Sequence, residues 1–307
     1  MWILFRDVCL PIFILIGLGW LLDRRFKVDL DTLVKLNLYL FVPAFIFVHV
    51  VNSELPGSEA VQFVGFTLLV IASMFLLSSL VAIATRAAPS TRKSLQLSTM
   101  FYNSGNYGIP LMTLAFPEKG PPIQVFILMT MNITTFSIGL SLASSQNNTS
   151  PSAAWKNLLP VLRQPSIYAI AAALLARHFH LQPQNLPVLW EPLNYLAAAL
   201  VGFALITLGV QLSKTKPPRL RGPFPWAVGI RLLGGPLVAL ALTQVFPFDP
   251  LTNHILILGA SVPTAVNTAL IAHEFKADSA FAAAAVFYST VFSLATVTII
   301  LTLLKVA

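Results

Sequence analysis

The sequence NSGNYGIP, from Asn103 to Pro110, interrupts an apolar stretch that is long enough to cross a membrane. Its eight positions hold two Asn, two Gly, one Ser and one Pro, all poor helix formers. Because proline removes a backbone donor and glycine adds conformational freedom, a helix is expected to break here. In hydrocarbon the freed backbone groups need partners, so such a break survives only inside protein or beside a wet cavity. The stretch therefore predicts an interior break in a membrane span.

The composition of the whole chain is that of an integral membrane protein. Of 307 residues 56% are hydrophobic and 10% are charged, whereas soluble domains carry about 25% charged residues. The net charge of +8 is distributed over short loops between apolar segments, where it orients a membrane protein, so no nucleic-acid partner is predicted. The single cysteine, Cys9, excludes an intrachain disulfide framework and a Cys-based metal cluster, and no metal site is predicted.

Ten apolar segments have about the 20 residues that a membrane-crossing helix needs. The polar stretch 146–160 is predicted to be a cytoplasmic linker between a first five-helix half, 1–145, and a second half, 161–307. Five helices per half invert the second half relative to the first, and inverted repeats are frequent in secondary transporters. The predicted fold is therefore an all-α integral membrane protein of two inverted five-helix repeats, with segments at 3–22, 32–51, 61–85, 94–116, 121–144, 162–179, 190–213, 224–246, 253–273 and 279–304.

The distribution of Lys and Arg predicts the orientation. Thirteen of these 19 residues fall in loops that follow odd-numbered segments, against four on the opposite side. Because loops rich in Lys and Arg stay in the cytoplasm, both termini are predicted to be extracytoplasmic. The chain is expected to be a multi-pass protein of the cell inner (plasma) membrane, in contact with lipid.

A second interrupted segment corresponds to the first. GASVPTAVNTAL, at 259–270, is the fourth segment of the second half, as NSGNYGIP is of the first. Either break alone is equally well explained as an ordinary proline kink with polar side chains bonding neighbouring helices. As a matched pair they predict a central binding site made of half-helix ends and exposed backbone. The predicted substrate-binding residues are Asn103, Ser104, Asn106, Pro110, Pro263, Thr264, Asn267 and Thr268.

The pattern N-x-x-x-x-G-I-P at 103–110, VPTAVNTALIAHEF at 262–275 and RQPSIYA at 163–169 resemble the auxin efflux carrier family. This family belongs to the bile/arsenite/riboflavin transporter superfamily, and the resemblance covers essentially the whole chain. It implies that helices four and nine are broken and cross in a core domain. A scaffold of helices one, two, six and seven stands beside this core, which moves against it like an elevator.

The same resemblance implies a small organic anion as substrate, an auxin- or malonate-like mono- or dicarboxylate. In plant members the Asn seven residues before the helix-four Pro contacts the substrate carboxylate, and the matching residue here is Asn103. Plant relatives also suggest a homodimer formed through the scaffold helices.

Neither the coupling ion nor a charged partner for the anion is determined by the sequence. Arg231 is a candidate cation for the substrate, although its place near a segment end also allows its side chain to reach the surface. Sodium coupling, proton coupling and uncoupled movement all stay open, and no other cofactor is predicted. Neutral oxygens that are candidates for an ion-coupling site belong to Asn132, Thr134, Thr135, Ser289 and Thr290.

Three classes of function are compatible with such a chain, and a secondary carrier is favoured. The alternative is an uncoupled facilitator or channel, although no ring of charged pore residues is visible in the sequence. An enzyme is not predicted, because motifs such as G-x-S-x-G and H-E-x-x-H are missing from the sequence.

Overall fold

The computed structural model describes residues 2–144, 163–181, 187–215 and 222–304, and within these ranges the chain is helical and contains no strand. The predicted linker 146–160 lies outside the described residues. The helices are α1 (Trp2–Phe26), α2 (Leu30–Val51), α3 (Gly57–Ala84), α4 (Pro89–Met100), α5 (Ser104–Gly108, a π-helical turn, continued by Ile109–Ala115), α6 (Gly120–Ala143), α7 (Pro165–His178), α8 (Pro187–Lys214), α9 (Phe224–Leu242), α10 (Pro250–Ala260), α11 (Asn267–Glu274) and α12 (Ser279–Leu303).

Seven of these helices are long and apolar enough to cross a membrane: α1, α2, α3, α6, α8, α9 and α12. The sequence predicted ten such segments. Among the described residues, the sixth predicted segment, 162–179, contains a helix of only 14 residues, and the fourth and ninth each form two shorter helices. The predicted breaks in the fourth and ninth segments are therefore present, and they are the reason that these two segments do not count among the seven long helices.

The two breaks lie side by side and bond to each other. Tyr102 and Thr264 form an antiparallel bridge. The amide of Asn103 donates to the carbonyl of Pro263 at 2.8 Å, and that of Ala265 donates to the carbonyl of Phe101 at 3.0 Å. Backbone groups that the breaks free from helical bonding thus find partners in the other break, as burial in an apolar medium requires.

Helices α1, α2, α7 and α8 pack on one another and form one group, called here the first group. Helices α1 and α8 approach until their backbones nearly touch: a Cβ at Gly209 would lie 2.0 Å from the carbonyl oxygen of Ile16, and one at Gly19 would lie 2.1 Å from that of Ile206. Only glycine permits this distance. The remaining helices, α3 to α6 and α9 to α12, pack around the two breaks and form the second group.

The start of α10 is fixed by an acidic cap. The carboxylate of Asp249 accepts hydrogen bonds from the amides of Leu251 and Thr252, and Lys119 Nζ lies 2.9 Å from its Oδ2. Burial alone would raise the pKa of Asp249, but the hydrogen bonds from Thr252 and Lys119 outweigh it and hold the pKa at about 2. The turn before α6 is thereby tied to the first half of the second broken segment.

Candidate functional site

A cavity of about 520 Å³ lies beside the paired breaks. It is bounded by residues of α2, α5, α6, α7, α8 and α11 together with the first break itself. Most of its polar wall consists of amides and hydroxyls, and Arg163 is the only charged side chain among its described lining residues. Such a wall offers many hydrogen-bonding groups and one cation at its edge. The polar lining residues are Asn37, Asn103, Ser104, Asn106, Asn132, Thr135, Arg163, Gln164, Ser166, Gln211 and Asn267.

Asn103 lies at the first break, and the NH₂ half of its side-chain amide has no partner among the described residues. Its Oδ1 accepts a hydrogen bond from the backbone amide of Asn106 at 3.1 Å, which caps the start of α5. This bond identifies the oxygen, so the other side-chain atom is the NH₂ group. Nδ2 of Asn103 is buried and has no hydrogen-bond partner among the described residues. A buried donor without a partner is costly, and such a group in a native structure calls for an explanation.

The side-chain amide of Asn106 is hydrogen-bonded to a residue of the first group of helices. Asn37 Nδ2, in α2, donates to Asn106 Oδ1 at 2.7 Å, so the NH₂ group of Asn106 points elsewhere. Gln124 Nε2, in α6, donates to the carbonyl of Ser104 at 2.7 Å and fixes the turn that follows Asn103. Two amide side chains from neighbouring helices therefore orient the polar residues of the break.

The eight residues predicted to bind substrate are divided by the structure. Asn103, Ser104, Asn106 and Asn267 line the cavity, whereas the other four lie outside its wall. Pro263 and Thr264 belong to the paired backbone of the breaks. Pro110 is buried within α5, and the hydroxyl of Thr268 donates to the carbonyl of Ala265.

The five candidate ion-coupling residues are divided in the same way. Asn132 and Thr135 line the cavity. The hydroxyls of Thr134 and Thr290 donate to carbonyls of their own helices. Ser289 Oγ accepts from the backbone amide of Thr264 at 3.0 Å and so supports the second break.

The sequence reasoning missed five polar residues of the cavity wall and one that supports it. The five are Asn37, Arg163, Gln164, Ser166 and Gln211, and the supporting residue is Gln124. Asn37 and Gln124 each interrupt a strongly apolar segment, which is the signal that would have indicated them. In the sequence, Arg163 is a loop cation that contributes to the orientation and the first residue of the RQPSIYA motif. Its place in the cavity wall depends on where α7 begins, which the sequence does not reveal.

Arg231 occupies neither of the two places considered for it. Its side chain is fully buried, so it does not reach the surface, and it is not among the residues that line the cavity. Its guanidinium instead donates to the carbonyls of Thr99 and Ala260, at the ends of α4 and α10.

Long apolar helices around two paired breaks, with a polar cavity beside them, define a membrane transport protein. A family model described as "Membrane transport protein" matches residues 7–301. The chain therefore belongs to this family, the auxin efflux carrier family that its crossover motifs resemble.

Three relatives match over nearly their whole length. A "Putative malonate transporter" of Rhizobium meliloti is 28% identical, with 96% of this chain and 94% of the relative covered. An "Uncharacterized transporter" of Methanothermobacter thermautotrophicus is 24% identical, with 94% of each chain covered. Another "Uncharacterized transporter", of Methanocaldococcus jannaschii, is 22% identical, with 94% of this chain and 95% of the relative covered.

Proposed function

We propose that the chain is a secondary carrier that moves a small organic anion, a mono- or dicarboxylate, by alternating access. The observation that carries the proposal is the buried Nδ2 group of Asn103, which has no partner among the described residues and belongs to a residue that lines the cavity. A carboxylate accepts hydrogen bonds only, so it complements such a donor. Hydrogen bonds that involve a charged group contribute about 1.5–3 kcal/mol each, enough for selective but reversible binding.

Arg163 would provide a second contact for a dicarboxylate. It is the one cation among the described lining residues, and a guanidinium binds carboxylates through paired hydrogen bonds. One carboxylate at Asn103 and the other toward Arg163 would use both features of the wall. The name of the Rhizobium relative makes malonate the first dicarboxylate to test.

The cavity would open to the cytoplasm. The loop that precedes α7 is on the cytoplasmic side according to the Lys and Arg distribution, and Arg163 to Ser166 line the cavity there. The proposed state is therefore inward-facing, in the inner membrane, with both termini extracytoplasmic.

The proposed movement is that of an elevator within two inverted five-helix repeats, 1–145 and 161–307. The packing of α1 on α8, of α8 on α2 and of α2 on α7 supports this, because these four helices are the segments that the family resemblance implies as scaffold. In this proposal the second group carries the breaks and moves. A homodimer through the first group stays a prediction from the resemblance.

The test is uptake of labelled malonate into proteoliposomes by Asn103→Ser and a control. Serine retains an oxygen that caps α5 but removes the amide donor, so uptake affinity should fall about 10-fold to 150-fold. Asn194→Ser is the control, because Asn194 lies in α8 away from the cavity wall.

Two results would contradict the proposal. If Asn103→Ser and the control variant both took up malonate with the affinity of the wild type, Asn103 would not be a substrate-binding residue. In a counterflow test, vesicles are preloaded with unlabelled malonate and labelled malonate is added outside. A carrier accumulates the label above its outside concentration, because exchange is driven by the unlabelled substrate. Entry of the label without such accumulation would favour the alternative, an uncoupled facilitator or channel.

A further inference from the structure

Arg231 is a buried cation that the proposed substrate site does not use. It lies in the π-helical turn Ile230–Gly234 of α9, and none of its surface is exposed. A charge inside a membrane span is costly and marks a functional position by default. The ion pairs between described residues are Arg6–Asp7, Lys35–Asp31, Lys119–Asp249 and Lys214–Asp23, so no carboxylate there compensates Arg231.

Backbone carbonyls and one aromatic ring surround the guanidinium instead. Nη1 donates to the carbonyl of Thr99 at 2.8 Å, and Nη2 donates to that of Ala260. Cζ of Arg231 lies 4.8 Å from the centroid of the Tyr102 ring, a distance at which a ring face attracts a cation. The cation therefore contacts both broken segments at once.

The two carbonyls belong to the C-terminal ends of half-helices. Thr99 lies in the last turn of α4, and Ala260 is the last residue of α10. Carbonyls in a last turn have no partner within their helix. Each helix end carries about half a negative charge, so together the two ends match the single positive charge of Arg231.

The backbone of α9 is shaped to allow this contact. A Cβ at Gly235 would lie 2.3 Å from the carbonyl oxygen of Ala260 and 2.3 Å from Nη2 of Arg231. Any larger residue would push α9 away from the end of α10. A glycine one turn after the arginine therefore brings the guanidinium to the carbonyls.

In transporters with broken helices, half-helix C-terminal ends and unwound carbonyls are the groups that coordinate a coupling Na⁺. We infer that Arg231 is a tethered cation that occupies this role, so that carboxylate transport by this chain needs no Na⁺. The inference rests on the proposed function for its transport assay. Arg231 acts here as a positioning residue, since it holds the half-helix ends together and does not contact the cavity.

The experiment compares Na⁺ with N-methyl-D-glucamine in two measurements on wild-type protein, Arg231→Ala, Arg231→Lys and the control Lys35→Ala. The first measurement is malonate uptake into proteoliposomes. A coupling ion changes affinity by about fivefold or more, and the affinity of wild-type uptake should change by less than that between the two cations.

The second measurement is the Tm of purified protein in detergent. Wild-type and Lys35→Ala Tm should not depend on Na⁺, whereas Arg231→Ala should melt lower and be raised by Na⁺, with Arg231→Lys between the two.

The outcomes separate this inference from the proposed function. The role of Arg231 would be overturned if wild-type uptake required Na⁺ or if the wild-type Tm depended on it. A Tm of Arg231→Ala equal to that of wild type would overturn it as well. None of these results would contradict the proposal that the chain is a carrier. Failure to transport any carboxylate would contradict the carrier, while the Tm comparison would still decide about Arg231. If Arg231→Ala does not yield folded protein, the wild-type comparison between the two cations is decisive.

Discussion

At the scale of single residues, the proposed site depends on one hydrogen-bond donor that the protein leaves unsatisfied. The side-chain oxygen of Asn103 caps α5, and its buried NH₂ group has no partner among the described residues. A neutral donor binds a carboxylate without the desolvation cost of a second buried charge. This suits a carrier, which must release its substrate as well as bind it.

Arg163 gives the residue-scale prediction. Arg163→Gln removes the only charge among the described lining residues of the cavity but retains an amide donor. Glutamine offers one neutral donor in place of a charged guanidinium that can form paired hydrogen bonds. The affinity for a dicarboxylate should therefore fall several-fold, while a monocarboxylate of similar size should be affected less. Competition of malonate and acetate against labelled malonate measures both affinities.

The control for this prediction is Arg92→Gln, a cation that the structure places outside the cavity wall. Equal losses for malonate and acetate in Arg163→Gln would contradict a contact to a second carboxylate. They would indicate instead that Arg163 only attracts anions to the entrance.

At the scale of helices, the two breaks and their meeting were predictable, whereas the local hydrogen bonds of the nearby threonines were not. Proline, glycine and asparagine at 103–110 and 259–270 indicate where helices must end, because these residues cannot continue an apolar helix. The predicted roles of Thr134, Thr268 and Thr290 did not allow for a local effect. A threonine hydroxyl in a helix donates readily to a carbonyl three or four residues before it, which ties it to its own chain.

Arg231 shows the other limit of the sequence. Its charge in an apolar segment indicates function, but its partners are backbone carbonyls 132 and 29 residues away along the chain. Carbonyls carry no residue-type signal, so only the packed structure reveals that one guanidinium serves both half-helix ends. The same holds for Gly19 and Gly209, whose importance comes from the backbone of the facing helix.

The contact between α1 and α8 gives the prediction for helices. Gly209→Val places a side chain where a Cβ alone would lie 2.0 Å from the carbonyl oxygen of Ile16. The helices must separate, which should destabilise the protein by at least the 1–3 kcal/mol that is roughly typical of overpacking. Gly202→Ala in the same helix is the control, because a Cβ there meets nothing within 4 Å.

The measurement is Tm in detergent together with the yield of monodisperse protein. Gly209→Val should lower both, while Gly202→Ala should leave Tm unchanged or slightly raised, since alanine favours a helix over glycine. A normal Tm for Gly209→Val would mean that α1 and α8 are not in close backbone contact.

At the scale of the whole molecule, residues of both groups of helices line the cavity. Asn37 belongs to the first group and Asn106 to the second, and their side chains form a hydrogen bond across the boundary. If transport moves one group against the other, this bond must break in every cycle. The bond would then hold the inward-facing state until the cycle continues, which makes the pair a place to arrest the movement.

A reversible cross-link tests this movement. The variant carries Asn37→Cys and Asn106→Cys in a Cys9→Ser background. Hg²⁺ should bridge the two new cysteines, since Nδ2 of Asn37 and Oδ1 of Asn106 lie 2.7 Å apart. Uptake should fall to background on bridging and recover when excess thiol removes the metal, each measured against the same variant before treatment. Asn106→Cys alone with Hg²⁺ controls for a metal that merely blocks the cavity.

A second control joins two helices of the same group. Phe41→Cys with Phe203→Cys would link α2 to α8, where the rings lie 4.4 Å apart, and this variant should still transport when it is bridged. Full transport by the bridged Asn37–Asn106 pair would rule out relative movement of the two groups, because a fixed boundary and an elevator are incompatible.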